Sequence, residues 1–185
     1  MEILDVVDAN GAPTGETVER KKAHAEGIPH RTAHLWLLRR KNGKTQILLQ
    51  KRCAQKAEFP ECYDISSAGH IPAGVDYRTS AVRELSEELG VTVQESELIF
   101  CGHRTIITDT EFHGKPFHDR QYSQVYVLWF DKDETAFTVQ ETEVESVLWM
   151  DFTDCVEAVR TNAIRHCIAM EELNILAAYL EKQAT

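Results

Sequence analysis

The chain has 185 residues, which suits one domain with a continuous core and does not require two. Its 30 Asp+Glu against 20 Lys+Arg give a formal charge of −10, which argues against general binding to a nucleic-acid polymer or an anionic membrane. An anionic substrate therefore needs a local basic patch or a metal.

Five cysteines, Cys53, Cys62, Cys101, Cys155 and Cys167, form an odd set without a CxxC pair and read as idle thiols of a reducing cytoplasm. The start, MEILDVVDANGAP, is acidic and has no basic stretch followed by a long apolar run, so neither a signal peptide nor a membrane span is expected.

Ile3 to Val7 reads as a strand, Asp8-Ala9-Asn10-Gly11 as a turn, and Gly15 to Val18 as the return of an N-terminal hairpin. Arg20 to His34 is basic, and Pro29 prevents one helix from running through it. His24, His30 and His34 are able to bind metal, but their spacing matches no compact zinc pattern, so each taken alone reads as structural. Two extended runs, Ala33 to Arg40 and Gln46 to Lys51, flank Asn42-Gly43, a strong hairpin signal. Lys51, Arg52 and Lys56 follow; an arginine fork and a lysine charge leaving a strand suit a diphosphate, although an exposed basic loop end looks the same.

Asp64 to Ala68 leads into the most informative stretch, GHIPAGVDYRTSAVRELSEELGV, from Gly69 to Val91. A helix is predicted from near Thr79, with Ala81, Val82, Leu85 and Leu89 as its apolar stripe and Gly90 as its stop. Glu84, Glu87 and Glu88 share another face at i, i+3 and i, i+4 spacing. Like charges so placed cost about 0.2–0.5 kcal/mol per pair, a cost that a divalent cation removes. Oxygen-only ligands suit Mg2+ or Mn2+ bridging to phosphate rather than structural zinc. The bland alternative is a solvated acidic face.

Beyond the helix, Leu98 to Ile107 and Tyr122 to Trp129 read as strands around a polar loop, TDTEFHGKPFHDRQ. Thr138 to Glu145 reads as an acidic loop, Val147 to Met150 as a strand and Asp154 to Arg160 as a short helix. A long amphipathic helix is predicted from about Ala163 to Lys182. Mixed strands and helices indicate an α/β layer structure.

The spacing Gly69, Arg83-Glu84-Leu85-x-Glu87-Glu88-x-Gly90-Val91 resembles the Nudix box, G-x5-E-x7-R-E-U-x-E-E-x-G-U, with one departure: Val75 stands where the first glutamate belongs. The resemblance implies a Nudix-type α/β/α sandwich with a mixed sheet, occupying residues 1–185 as one domain. Within it, residues 1–32 form the hairpin and basic segment, 33–152 the core with the box at 69–91, and 153–185 the C-terminal helices. It also implies a magnesium-dependent hydrolase of a diphosphate bond in a nucleotide or another small organic diphosphate. Glu84, Glu87, Glu88 and the Gly69 carbonyl would hold metal, Glu87, Glu88 and Arg83 would form the catalytic set, and a homodimer follows from the family.

Over most of its length the chain is similar to the branch that includes isopentenyl diphosphate isomerase. The likeness rests on the His30-to-Trp36 segment, Arg52 with Lys56, Phe59-Pro60 and Ala68-Gly69-His70. It implies that Arg52 and Lys56 contact diphosphate and that His24, His30 and His70 match metal-binding histidines, His24 through a one-residue gap. Ala68 replaces the isomerase's catalytic cysteine and Gln121 its catalytic glutamate, so isomerisation is expected to be absent. Val75 and Gln121 leave a non-catalytic diphosphate-binding domain as a further alternative. Some Nudix enzymes take their general base from a loop, which makes Asp109, Glu111 and Asp119 candidates.

Overall fold

A computed structural model describes residues 2–112 and 114–183. Met1, Ala184, Thr185 and, within the segment read as a polar loop, His113 lie outside the described residues.

The N-terminal hairpin forms as read, from β1 (Ile3–Val7) and β2 (Pro13–Glu19), and passes into the short helix α1 (Arg20–Glu26). Gly27 ends α1 in the left-handed conformation at φ 67, and Pro29 separates it from β3 (His30–Lys41). An Asp5–Arg31 ion pair of 2.6 Å ties the hairpin to β3. The same guanidinium donates to the Val75 carbonyl at 2.9 Å. Val75 packs against the core, so the position of the missing glutamate is filled by an apolar side chain.

β3 turns through Asn42 and Gly43, both at positive φ (52 and 75), into β4 (Lys44–Arg52), as a two-residue hairpin loop requires. The main sheet is ordered β5 (Tyr63–Asp64), β4, β3, β8 (Lys115–Trp129), β7 (Ile99–Phe112). In addition β6 (Ser67–His70) pairs with β3, and β9 (Val144–Asp151) with β4. β3 runs parallel to β8 and antiparallel to β4 and β6, so the sheet is mixed.

Alternation along β3 divides the core. Leu35 and Leu37 face one side, against Ala81, Leu85 and Leu89 of helix α2 (Tyr77–Leu89). Trp36 and Leu38 face the other, against α3 (Phe152–Arg160) and α4 (Met170–Gln183) through Cys155, Val159, Leu173 and Leu176. The result is the expected sandwich of a mixed sheet between helices.

Two expectations are corrected. The stretch 108–121 is the far half of a β7–β8 ribbon, paired as far as Phe112 opposite Lys115, with Gly114 at φ 74 in the turn. Its Thr and Phe residues favour extended backbone, ladder hydrogen bonds satisfy it, and Phe117, Asp119 and Gln121 of β8 turn inward toward α1 and β3. The last helix begins at Met170 rather than near Ala163. The segment before it is held extended along β5, where the Tyr63 amide donates to the Arg165 carbonyl at 2.8 Å and the Cys167 amide to the Tyr63 carbonyl at 3.0 Å. Ile168 therefore joins the core beneath α4 without belonging to it.

Candidate metal and diphosphate site

Helix α2 is started by Asp76, whose carboxylate accepts the Thr79 amide at 3.0 Å, and stopped by Gly90 at φ 69. With its apolar stripe buried, the adjoining face turns Glu84, Glu87 and the buried Glu88 toward a cleft of about 280 Å³ beside Gly69 and His70 of β6. The strand and helix touch at Gly69. A Cβ there would stand 2.2 Å from the Glu84 Cδ, so only glycine leaves that carboxylate its place.

Arg83 pairs with Glu84 at 2.5 Å and with Glu87 at 3.3 Å, bracing the acidic face. Burial pushes the Glu84 carboxyl up to about 7, against the pull of Arg83. Burial likewise raises Glu88 to about 8, with Ser67 and Lys56 opposing and the Glu84 charge adding. Ser67 is near enough to oppose the shift but makes no hydrogen bond of normal geometry, and Glu88 Oε2 is left without a partner among the described residues. An orphaned, buried carboxylate oxygen amid further carboxylates fits a hard divalent cation. Glu84, Glu88 and the Gly69 carbonyl would hold it, with Glu87, more exposed, at the rim.

The basic side of the cleft comes from three elements. Lys56 lines it, as does Arg20 at the head of α1, which sequence reasoning passed over as part of a generally basic segment. Arg52 lies on the adjoining side, with much of its fork already committed. It pairs with Asp64 at 3.1 Å and donates to the carbonyls of Phe59 at 3.2 Å and Glu58 at 3.0 Å. Glu2, Gln140 and Glu143 complete the lining, and no sequence motif marked them.

Past Gly69 the cleft continues into a second chamber of about 180 Å³, lined by His24 of α1 and His70 of β6, with the fully buried His30 of β3 packed against both rings. Their nitrogens lie within 4.8 Å of one another. The arrangement departs from the structural reading given to each histidine alone and agrees with the set implied by the isomerase likeness. His30 Nδ1 donates to the Ile28 carbonyl at 2.9 Å, which leaves the Nε2 lone pair facing inward. The Nε2 atoms of His24 and His70 stand 3.1 Å apart, close to the ~3.0–3.4 Å expected between two nitrogens on one ion at ~2.1 Å.

Asp119 of β8 lies beside this group, its Oδ1 3.6 Å from His24 Nδ1, on the side of that ring away from His70, and 3.9 Å from His30 Nε2. Those three atoms are buried without a hydrogen-bond partner among the described residues. Burial lowers His24 to about 3, depresses His30 and His70, and lifts Asp119 to about 6. Three neutral imidazoles whose nitrogens converge fit a divalent metal at this second position too, with Asp119 placed to orient His24 through its Nδ1.

Other predicted residues fall elsewhere. His34 is structural: its Nδ1 lies 3.0 Å from both oxygens of Glu172, which also accepts Trp36 Nε1 at 3.0 Å and Arg104 at 2.9 Å. Burial opposes ionisation of Glu172, yet His34 and Arg104 hold its carboxyl below the usual range. Asp109 is exposed and tied to His118 and Arg120, each at 2.7 Å. Glu111 is exposed too, so among the loop carboxylates only Asp119 reaches the cleft. Ala68 lines both chambers, and the Gln121 amide donates to Asp119 Oδ2 at 2.9 Å. A third hollow of about 210 Å³ adjoins them, walled by Phe59, Ile65, Ile106, Phe117 and Ile168.

The NUDIX domain model matches residues 28–169. The chain belongs to the Nudix family.

An uncharacterized Nudix hydrolase of Clostridium acetobutylicum is 34% identical over 83% of this chain and 71% of its own length. An isopentenyl-diphosphate Delta-isomerase of Escherichia coli is 33% identical over 83% of the chain and 79% of its own length. Among solved structures, DR0079 from Deinococcus radiodurans superposes with a TM-score of 0.68 over 96% of this chain and 99% of its own. At 18% identity that likeness shows the Nudix fold alone. The chain is an enzyme of the Nudix hydrolase kind, built on the scaffold that it shares with the isomerase. No helix among the described residues is long and apolar enough to cross a membrane.

Proposed function

We propose that this Nudix protein is a magnesium-dependent hydrolase, with manganese as the alternative ion, that cleaves the diphosphate linkage of a nucleotide or another small organic diphosphate. The carrying observation is the orphaned Glu88 Oε2, buried beside Glu84 and Gly69 and facing Lys56 and Arg20 across one cleft. A divalent cation bound there supplies charge neutralisation of the phosphates and acidifies water. The chain's own residues do the rest. Lys56, Arg20 and the free donors of Arg52 bind the phosphate oxygens, Arg83 holds Glu84 and Glu87 in register, and the Phe59–Phe117 hollow takes the organic group.

The substrate is the expected partner, in a cytoplasmic setting, with no nucleic-acid polymer or membrane. The homodimer carried over from the family is checked by light scattering. A panel of nucleoside and isoprenoid diphosphates assayed with Mg2+ for phosphate or nucleotide release tests the assignment. Release by the wild type that vanishes with chelator and in Glu88→Gln supports it, and release that persists in Glu88→Gln refutes it.

The histidine group, shared with the isomerase by resemblance, favours isomerisation as the second reading. Against it, Ala68 and Gln121 occupy the positions of the two proton-transfer groups, and neither transfers a proton at neutral pH. Cys62 and Cys101 do not line these three hollows, and Asp119, which accepts the Gln121 amide at 2.9 Å, is the candidate substitute acid.

A further inference from the structure

The cleft's carboxylates differ in what they are free to do. Glu2 pairs with Arg20 at 3.0 Å, Glu84 and Glu87 pair with Arg83, and Glu88 presents its unpartnered oxygen to the candidate cation site. Two lining carboxylates are paired with cations that a diphosphate would claim, Glu2 with Arg20 and Glu143 with Lys56, and of these Glu143 sits on a segment bonded to both the end of α2 and the end of β4.

The segment carrying Glu143 is held from both sides. At the end of α2, the Thr138 amide donates to the Leu89 carbonyl at 3.0 Å and the Gln140 amide to the Glu88 carbonyl at 2.9 Å. A Cβ on Gly90 would come within 2.9 Å of Thr138, so the glycine that stops the helix also lets this segment approach. At the end of β4, the Cys53 amide donates to the Glu143 carbonyl at 3.0 Å, and the Cys53 thiol to the Thr142 carbonyl at 3.0 Å. The Glu143 amide itself donates to the Gln140 carbonyl at 2.8 Å. A half-exposed carboxylate on a backbone clamped between the catalytic helix and the basic strand end keeps its place without its lysine.

We propose that Glu143 is the general base of the hydrolysis, masked by Lys56 in the free protein and released when the diphosphate takes the lysine. The inference rests on the hydrolase reading above. Water then adds its oxygen to phosphorus and gives a proton to the Glu143 carboxylate. The bridging P–O bond breaks, and the leaving phosphate departs with the electron pair. Lys56 acts both as substrate anchor and as the cover of the base.

The test compares wild type, Glu143→Gln, Glu143→Ala, Lys56→Ala and Glu88→Gln on one hydrolysed diphosphate. Since every clamp on the segment is a backbone bond or the Cys53 thiol, the Glu143 variants should melt with the wild type. A base gives a kcat loss of about 10²-fold or more in Glu143→Gln, with KM unchanged or lower because Lys56 is released, and partial rescue of Glu143→Ala by formate. A residue that only positions Lys56 gives the KM rise of Lys56→Ala with kcat kept and no rescue, and that result overturns the proposal. Near wild-type kinetics in both Glu143 variants overturn it equally. Activity in the wild type and its loss in Glu88→Gln keep the hydrolase reading standing in either case.

Discussion

Replacing Gly69 by alanine separates the stability of the fold from the geometry of the site. The new Cβ would stand 2.2 Å from Glu84 Cδ, 2.3 Å from Cγ and 2.5 Å from Oε1, whereas ordinary contact begins at 3.4 Å, so the carboxylate must retreat by more than about 1 Å. The atoms that yield lie at the far end of a flexible side chain, and Gly69 sits in strand β6 opposite Ala33 without a positive φ. Backbone strain is therefore absent and the melting temperature should fall little. A displacement of about 1 Å in a catalytic group can cost on the order of 10²-fold in rate, or ~2.7 kcal/mol of transition-state stabilisation. Steady-state kinetics at saturating Mg2+ alongside thermal denaturation measure both quantities. Gly69→Ala turning over at the wild-type rate would show that Glu84 does no chemistry where the helix meets β6.

Metal-free Glu88→Gln should unfold no lower than the wild type at pH 7, because burial already raises this carboxyl to about 8 and the amide carries no charge to bury; a clear drop in melting temperature would contradict that account. Lys56→Ala should raise KM with kcat less affected, and unchanged kinetics would return Lys56 to an ordinary surface charge. Arg52→Lys should fail to restore the KM of the wild type, since a lysine loses the fork that spans Asp64 and the Phe59 and Glu58 carbonyls; full activity with an unchanged melting temperature would refute this. Asp109→Ala and Glu111→Ala should stay within a factor of about 2 of wild-type kcat, as expected of exposed side chains outside the cleft, and a large loss in either would restore it as a candidate base. The purified protein with Mg2+ should not interconvert isopentenyl and dimethylallyl diphosphate. Turnover that a chelator abolishes would promote the isomerase reading and direct attention to Asp119.

The short-range parts of this protein were legible in its residues. Asn42-Gly43 carries the left-handed pair that a tight hairpin needs, and the Ala81–Leu85–Leu89 stripe ending at Gly90 defines α2. The spacing of Glu84, Glu87 and Glu88 places three carboxylates on one face whatever the helix packs against. Polar composition misled at 108–121, where cross-strand hydrogen bonds hold the β7–β8 ribbon and its inward face is largely polar, with Asp119 and Gln121 beside Phe117. Helical spacing misled before Met170, where backbone pairing with Tyr63 prevails.

The tertiary structure decided what those local pieces face. His24, His30 and His70, with Asp119 beside them, lie on α1, β3, β6 and β8, and no spacing rule joins positions so far apart in the chain. They meet because β3 pairs with β6 on one side and runs parallel to β8 on the other, setting His30 opposite Gln121 and Thr32 opposite His70. The likeness to the isomerase named those histidines, whereas nothing in the sequence singled out Glu143, one acid in an acidic loop, before the backbone bonds to Glu88 and Cys53 carried it to the rim of the glutamate cleft. Helical periodicity is a local property of the chain, whereas convergence of side chains from separate strands depends on sheet register, which only the packing of the whole core selects.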